Sequence, residues 1–389
     1  MKFKSKLPDV GTTIFTVMSQ MAADHSAINL GQGYPDFNAS PQLLELVTKA
    51  MREGHNQYPP MPGIKPLREQ IAHKVSRLYG HSYDPDTEIT VTSGATEALM
   101  ASIQAFVTPG DEVIVIEPCY DLYIPAIRLA GGLPVVVPMT APTADHPHYR
   151  VDWQRVRAAI TARTRLLMLN FPHNPTGIIL TSDDLDELEK IVSDTGVMLL
   201  SDEAYEHIVF DGRKHQSLTS RQSLAANTIA IFSFGKTYHV TGWKVGYVCT
   251  PPALTTEVRK VHQFMVFTTT SPMQFALANY MKDPEPYESL SAFYQEKRDL
   301  LASGLENSRF NVLPSQGTFF LLAEYKTISD KTELEFAQWL TATHGVAAIP
   351  VSAFYAHPDS PQSNHQIVRF CFAKQNPTLE AAARKLQAV

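Results

Sequence analysis

Lys236 is the group in this chain best placed for covalent chemistry. It lies in Ser233-Phe234-Gly235-Lys236-Thr237, three residues after a serine and eight before a second cation in Gly242-Trp243-Lys244-Val245-Gly246. A neutral lysine amine adds to an aldehyde to form a Schiff base, and a hydroxyl and an ammonium nearby could hold a phosphate carried by that aldehyde. Read alone, the same pentapeptide is equally well a solvated lysine in a glycine-rich turn. The choice depends on the company it keeps.

Asp202 follows an apolar run at 197–201, in Ser201-Asp202-Glu203-Ala204-Tyr205-Glu206. A carboxylate there is either a helix N-cap, with Glu203 as a first-turn acid, or a group that keeps a heterocyclic nitrogen protonated. Asn174 sits in Asn170-Phe171-Pro172-His173-Asn174-Pro175-Thr176-Gly177, which as a bare motif is a turn. Thr92-Ser93-Gly94-Ala95-Thr96-Glu97 joins a strand pattern to a helix pattern, and its small residues would let backbone N–H groups approach a phosphate. It lacks the Gly-Lys-Ser/Thr ending of a nucleotide P-loop. Arg369 stands among strand-forming apolar residues in Gln366-Ile367-Val368-Arg369-Phe370-Cys371-Phe372. Burying it is costly without an anion, and its planar fork suits a carboxylate held at two points. An internal salt bridge is the plainer alternative.

The elements that must position these groups alternate. Strand-like runs at 89–92, 112–117, 165–170, 197–201 and 228–233 are separated by helical patterns such as 95–107 and 182–193. That order predicts an α/β fold with a mostly parallel sheet covered on both faces, and ligands bind such sheets outside the carboxyl ends of the strands. Beyond about residue 284 the texture changes: an amphipathic stretch at 287–308, strand-like 318–322, a helix at 333–343 and strand-like 366–372. We expect three parts: an irregular N-terminal arm at 1–40, belonging with the smaller domain or lying over the site; a large domain at 41–283; and a small α+β domain at 284–389. No internal repeat interrupts them.

Composition bounds the partners. With 389 residues, 44% hydrophobic and 19% charged, the chain is long enough for two cores and has the balance of a soluble enzyme. A net charge of −6 and the lack of a basic run argue against nucleic acid. Three scattered cysteines form neither a disulfide framework nor a Cys-x-x-Cys pair, which points to a reducing, cytoplasmic setting. The 14 histidines show no ligand spacing, so no metal is expected. No apolar run reaches the ~18 residues of a membrane span, and Met1-Lys2-Phe3-Lys4 is not followed by the apolar core of a secretory signal.

Taken together, these segments resemble the fold type I pyridoxal-phosphate aminotransferases of class I/II, in family order from Gly31 to Phe372. The resemblance implies pyridoxal 5'-phosphate bound to Lys236, with Asp202 on the ring nitrogen and Tyr205 and Asn174 on the phenolic oxygen. It implies Tyr120 stacked on the ring, and Gly94, Ala95, Thr96, Ser233 and Lys244 around the phosphate. Tyr58 would reach the phosphate of a second copy, making a homodimer with shared active sites. Arg369 would take the α-carboxylate. Gly33 and Tyr34, in Gly31-Gln32-Gly33-Tyr34-Pro35-Asp36-Phe37, would close over the substrate. With Tyr34, Tyr123, Phe264 and Phe267 apolar, the side-chain pocket would suit a large uncharged donor. Lys260-Val261-His262-Gln263 and 233–245 are most similar to the methionine and kynurenine aminotransferase group. The implied reaction is ping-pong transfer of an amino group to a 2-oxo acid, with Lys236 as anchor and then general base. The rivals are β-elimination from cysteine conjugates and a non-catalytic cofactor-binding regulator, for which no DNA-binding module fits ahead of Gly31.

Overall fold

The computed structural model describes residues 4–389; Met1, Lys2 and Phe3 of the expected arm lie outside the described residues. Seven strands form the main sheet, in the order Ile89–Thr92, Gly246–Cys249, Thr228–Ser233, Met198–Asp202, Thr164–Asn170, Glu112–Glu117, Leu133–Pro138. Only Gly246–Cys249 runs against its neighbours. The central strands are apolar on both faces because helices cover both. Thr228–Ser233, with the sequence TIAIFS, is buried along almost its whole length.

The strands expected at 89–92, 112–117 and 228–233 have those bounds, and the others lie within a residue or so. Two were not expected. Leu133–Pro138 carries a proline at its second position and at its end, and it is an edge strand where a missing N–H costs little. Gly246–Cys249 is four residues long and opens on glycine. Helix Ser182–Thr195 begins with a capping box from Thr181 and Asp184 and stops at Gly196, which has φ +67°.

A second sheet holds Ile349–Pro350, Ile367–Cys371, Phe320–Glu324 and Asn311–Val312 in antiparallel order. Phe319, Phe336, Phe370, Phe372 and Tyr294 pack in its core beside helices Leu290–Gly304 and Asn376–Leu386. The stretch expected at 287–308 divides into Glu285–Glu288 and Leu290–Gly304. The helix expected at 333–343 is α-helical through Trp339 and ends in a wider turn, Leu340–His344.

The N-terminal residues are more regular than expected. Thr13 caps a helix over Ile14–Asp24 that places Met18 against Ala337, Ile349 and Phe354. Ile28–Asn29 then pairs in parallel with Val346–Ala347. This stretch therefore packs on the C-terminal part of the chain. No helix among the described residues is long and apolar enough to cross a membrane.

Candidate active site

The carboxyl ends of the central strands open into a cavity of about 460 Å³. Lys236 reaches it from the helical turn Phe234–Thr237, directly after strand Thr228–Ser233. Its Nζ donates to Gly33 O at 3.1 Å and lies 5.5 and 5.3 Å from the ring centres of Tyr205 and Phe319. Burial, aided by the charges of Arg369 and Lys244, brings its pKa down to about 8. A much larger fraction of neutral amine is therefore present near neutrality than on a solvated lysine.

Asp202 closes the strand Met198–Asp202 on the same cavity. Its Oδ2 accepts from Tyr123 Oη at 2.7 Å and its Oδ1 from the Ala204 N–H at 3.2 Å. Burial still raises its pKa to about 6. No helix starts behind it: residues 204–207 form a turn, so the reading as a helix cap fails. Asn170 fixes this wall, donating to Asp202 O at 2.9 Å and accepting from the Asn174 N–H at 3.0 Å.

Arg369 is 1% exposed. Nη1 donates to Asn174 Oδ1 at 2.5 Å and Nη2 to Gly31 O at 3.3 Å, while Nε has no partner. The guanidinium lies 3.7 Å over the Phe320 ring centre. Among the described residues no carboxylate forms an ion pair with it, so the internal salt bridge is absent. Burial lowers its pKa to about 10.

The opposite corner is built for an anion. Helix Gly94–Phe106 begins at the cavity with Gly94, Ala95 and Thr96, and Glu97 Oε2 holds the Ser93 N–H at 3.0 Å. Lys244, at φ +54°, donates to Thr96 Oγ1 at 3.1 Å and has no carboxylate partner among the described residues. A Cβ at Gly246 would sit 2.6 Å from Phe232 O and 2.9 Å from Ala95 N, so only glycine lets these backbones meet. Ser233, Tyr120 and Tyr205 complete the lining.

Most residues singled out in the sequence thus meet in one cavity, including Gly33 and the half-exposed Tyr34 at its mouth. Tyr123 does not belong where the side-chain pocket was expected. It is 2% exposed, opens helix Tyr123–Leu129 and points its hydroxyl at Asp202. Tyr58 and Phe267 lie outside the cavity, ring against ring at 5.6 Å and 84% and 43% exposed. Phe15, Gln32, Asn170, Thr241 and Phe320 line the cavity without having been singled out. Of these only Asn170 carried a signal, as the polar end of a strand.

These residues fit pyridoxal phosphate: an amine of lowered pKa, a carboxylate on the same cavity, and two cations without anions for a phosphate and a carboxylate. The profile described as aminotransferase class I and II matches residues 25–386. The methionine aminotransferase of Escherichia coli (strain K12) is 48% identical over 385 residues, covering 99% of this chain and 97% of that protein. A probable N-succinyldiaminopimelate aminotransferase of Mycobacterium tuberculosis (strain CDC 1551 / Oshkosh) is 40% identical, covering 98% of this chain and 97% of that protein. The crystal structure of YbdL from Escherichia coli, described as having a methionine aminotransferase function, superposes with a TM-score of 0.96 at 47% identity over 100% of both chains. With a profile match across almost its whole length and the fold of these enzymes, this chain belongs to the class I and II aminotransferase family, in its fold type I architecture.

Proposed function

We propose that the enzyme uses pyridoxal 5'-phosphate to move the amino group of methionine, or of a similarly large uncharged amino acid, to a 2-oxo acid. One observation carries the reading: Lys236 and Asp202 share a cavity with Lys244 and Arg369, two cations that no carboxylate of the described residues neutralises. When bound, the cofactor supplies an aldehyde carbon and a ring that accepts the electron pair left at the donor's Cα.

The chain's own residues do the rest. Lys244 Nζ and the N–H groups at the start of helix Gly94–Phe106 bind the phosphate. Tyr120 would pack on the ring, and Tyr205 and Asn174 would bond its phenolic oxygen. Asp202, ionised and held by Tyr123, keeps a proton on the ring nitrogen. Arg369 takes the α-carboxylate and fixes the orientation of the Cα–H bond. Lys236, as a free amine, would take the Cα proton on Nζ and return it to the former aldehyde carbon, two atoms from Cα; its pKa of about 8 suits both directions.

Donor size follows from Phe15, Tyr34 and Phe320 on the cavity wall and from Arg369 being its sole guanidinium. Tyr58, Phe264 and Phe267 are exposed aromatics with no cover in the single chain, which supports a homodimer in which Tyr58 and Phe267 serve the partner's site. The three buried free cysteines support a cytoplasmic setting. A donor panel tests the whole reading, with the bound cofactor's conversion to its amine form as readout. Methionine should rank first or beside the aromatic donors. N-succinyldiaminopimelate or aspartate ahead of it would overturn the donor assignment.

A further inference from the structure

Four consecutive carbonyl oxygens over the cavity are each held by a cation. Arg369 Nη2 donates to Gly31 O at 3.3 Å and Lys236 Nζ to Gly33 O at 3.1 Å. The two between and beyond belong to Lys374, whose Nζ donates to Gln32 O at 3.4 Å and Tyr34 O at 2.8 Å. Lys374 is 4% exposed, has no ion-pair partner among the described residues, and lies 5.0 Å over the Tyr34 ring centre. Its own backbone is pinned, because Lys297 Nζ donates to Lys374 O at 2.8 Å. An ammonium buried without an anion is costly, and carbonyl oxygens offset only part of that cost.

Arg369 and Lys236 have other partners to meet. An amino donor's carboxylate would compete with Gly31 O for Arg369, and Lys236 would leave Gly33 O on joining the cofactor's aldehyde. Lys374 faces neither ligand, since it does not line the cavity. We propose that Lys374 is a positioning residue for amino-donor binding: it holds the 32–34 backbone, and with it Tyr34, over the cavity while the other two cations exchange their carbonyls for ligands. The next anchor down the chain is Asp36, which accepts from the Gln375 N–H at 2.6 Å and from Thr378 Oγ1 at 3.0 Å. Lys374 and Gln375 thus form one clasp at the end of the strand that carries Arg369.

The inference rests on the roles proposed above for Lys236 and Arg369. Its test uses the holoenzyme and two variants, Lys374→Met, which removes the donor and the charge, and Lys374→Gln, which keeps a shorter neutral donor. In Lys374→Met we expect KM for the amino donor to rise about tenfold, the scale of one hydrogen bond from a charged group. kcat and the absorbance spectrum of the bound cofactor should stay as in the wild type, and Lys374→Gln should fall between the two. KM is measured with whichever donor the wild type turns over fastest, so failure of the methionine assignment leaves the test intact. Hydrogen exchange of amides 32–36, followed without substrate, should quicken in Lys374→Met while the helix Gly94–Phe106 keeps its protection. Unchanged KM and unchanged exchange in both variants would overturn the inference, as would a loss of cofactor with KM preserved.

Discussion

Arg369 Nη1 donates to Asn174 Oδ1 at 2.5 Å, and Asn174 is the one side chain among the described residues that this guanidinium bonds. The bond joins the residue proposed for the substrate carboxylate to the one proposed for the cofactor's phenolic oxygen. Nε has no partner, so one edge of the fork is unused. A carboxylate offers two oxygens and a full charge where Asn174 offers one neutral oxygen, and charge-assisted, two-point bonds are the stronger. Asn174 accepts here through Oδ1, so its Nδ2 stays free to donate in its second proposed role, and a substrate carboxylate would compete with Oδ1 for Nη1.

Arg369→Ala should cost about 2–5 kcal/mol in kcat/KM for methionine and for 2-oxo acids, the range for removing a desolvated charged partner. 3-Methylthiopropylamine, which lacks the carboxylate, should lose far less. Equal losses for acid and amine would show that Arg369 does not hold the carboxylate.

Lys236 makes a prediction about pH. Its pKa is lowered to about 8, so the neutral amine grows as pH rises through that value and is complete above it. The rate at which cofactor-free enzyme takes up pyridoxal phosphate should climb through about pH 8 and then level. An ordinary lysine would keep climbing past about pH 10. Stopped-flow absorbance over pH 6.5–10.5 separates the two, and Lys236→Ala should show neither the borohydride-reducible linkage nor transamination.

The Tyr123–Asp202 bond was not legible in the sequence, and the reason is geometric. Tyr120 and Tyr123 are both aromatic and three residues apart after a strand, which assigns neither ring to a direction. Tyr123 opens a helix and is buried with its hydroxyl on Asp202, whereas Tyr120 lines the cavity. The polar motifs at the carboxyl ends of strands were legible, since an α/β sheet gathers such ends in one place. Phe15, Phe320 and Lys374 were not: each looks like a core or surface residue until the second sheet folds onto the first. Leu133–Pro138 and Gly246–Cys249 escaped because proline and glycine weaken the very pattern by which strands are recognised.

Asp202→Asn should keep the fold and lower kcat about a hundred- to a thousandfold, the scale for a preorganised electrostatic group. Tyr123→Phe probes the same carboxylate more gently. Its hydroxyl favours the ionised acid, so without it the Asp202 pKa should rise above about 6 and kcat should fall about tenfold. The acid limb of the kcat profile should move to higher pH. A Tyr123→Phe enzyme with the wild-type profile would detach Tyr123 from catalysis.

Gly246→Ala tests the phosphate corner. The new Cβ meets Phe232 O and Ala95 N, both backbone atoms that cannot swing aside. The start of helix Gly94–Phe106, the proposed phosphate site, must then shift. Cofactor affinity should then fall at least about tenfold by equilibrium dialysis, the scale of one charge-assisted hydrogen bond. Unchanged affinity would place the phosphate elsewhere.

Donor choice follows from what the cavity wall lacks. Phe15, Tyr34 and Phe320 offer apolar surface, and each buried methylene contributes about 0.8 kcal/mol, so methionine should outrun alanine severalfold or more. A distal carboxylate needs a cation of its own. Of the three cations on the wall, Arg369 is the one proposed for the α-carboxylate, Lys236 for the aldehyde and Lys244 for the phosphate corner. Aspartate would therefore desolvate its second charge without a partner and should be a poor donor. Replacing Phe15 by arginine supplies that partner at the cavity edge. In a kcat/KM panel of methionine, phenylalanine, alanine and aspartate, Phe15→Arg should raise aspartate relative to methionine by at least about tenfold, a shift of about 1.4 kcal/mol. Aspartate already ahead of methionine in the wild type would sink this account of the wall, while the aminotransferase family assignment would stand.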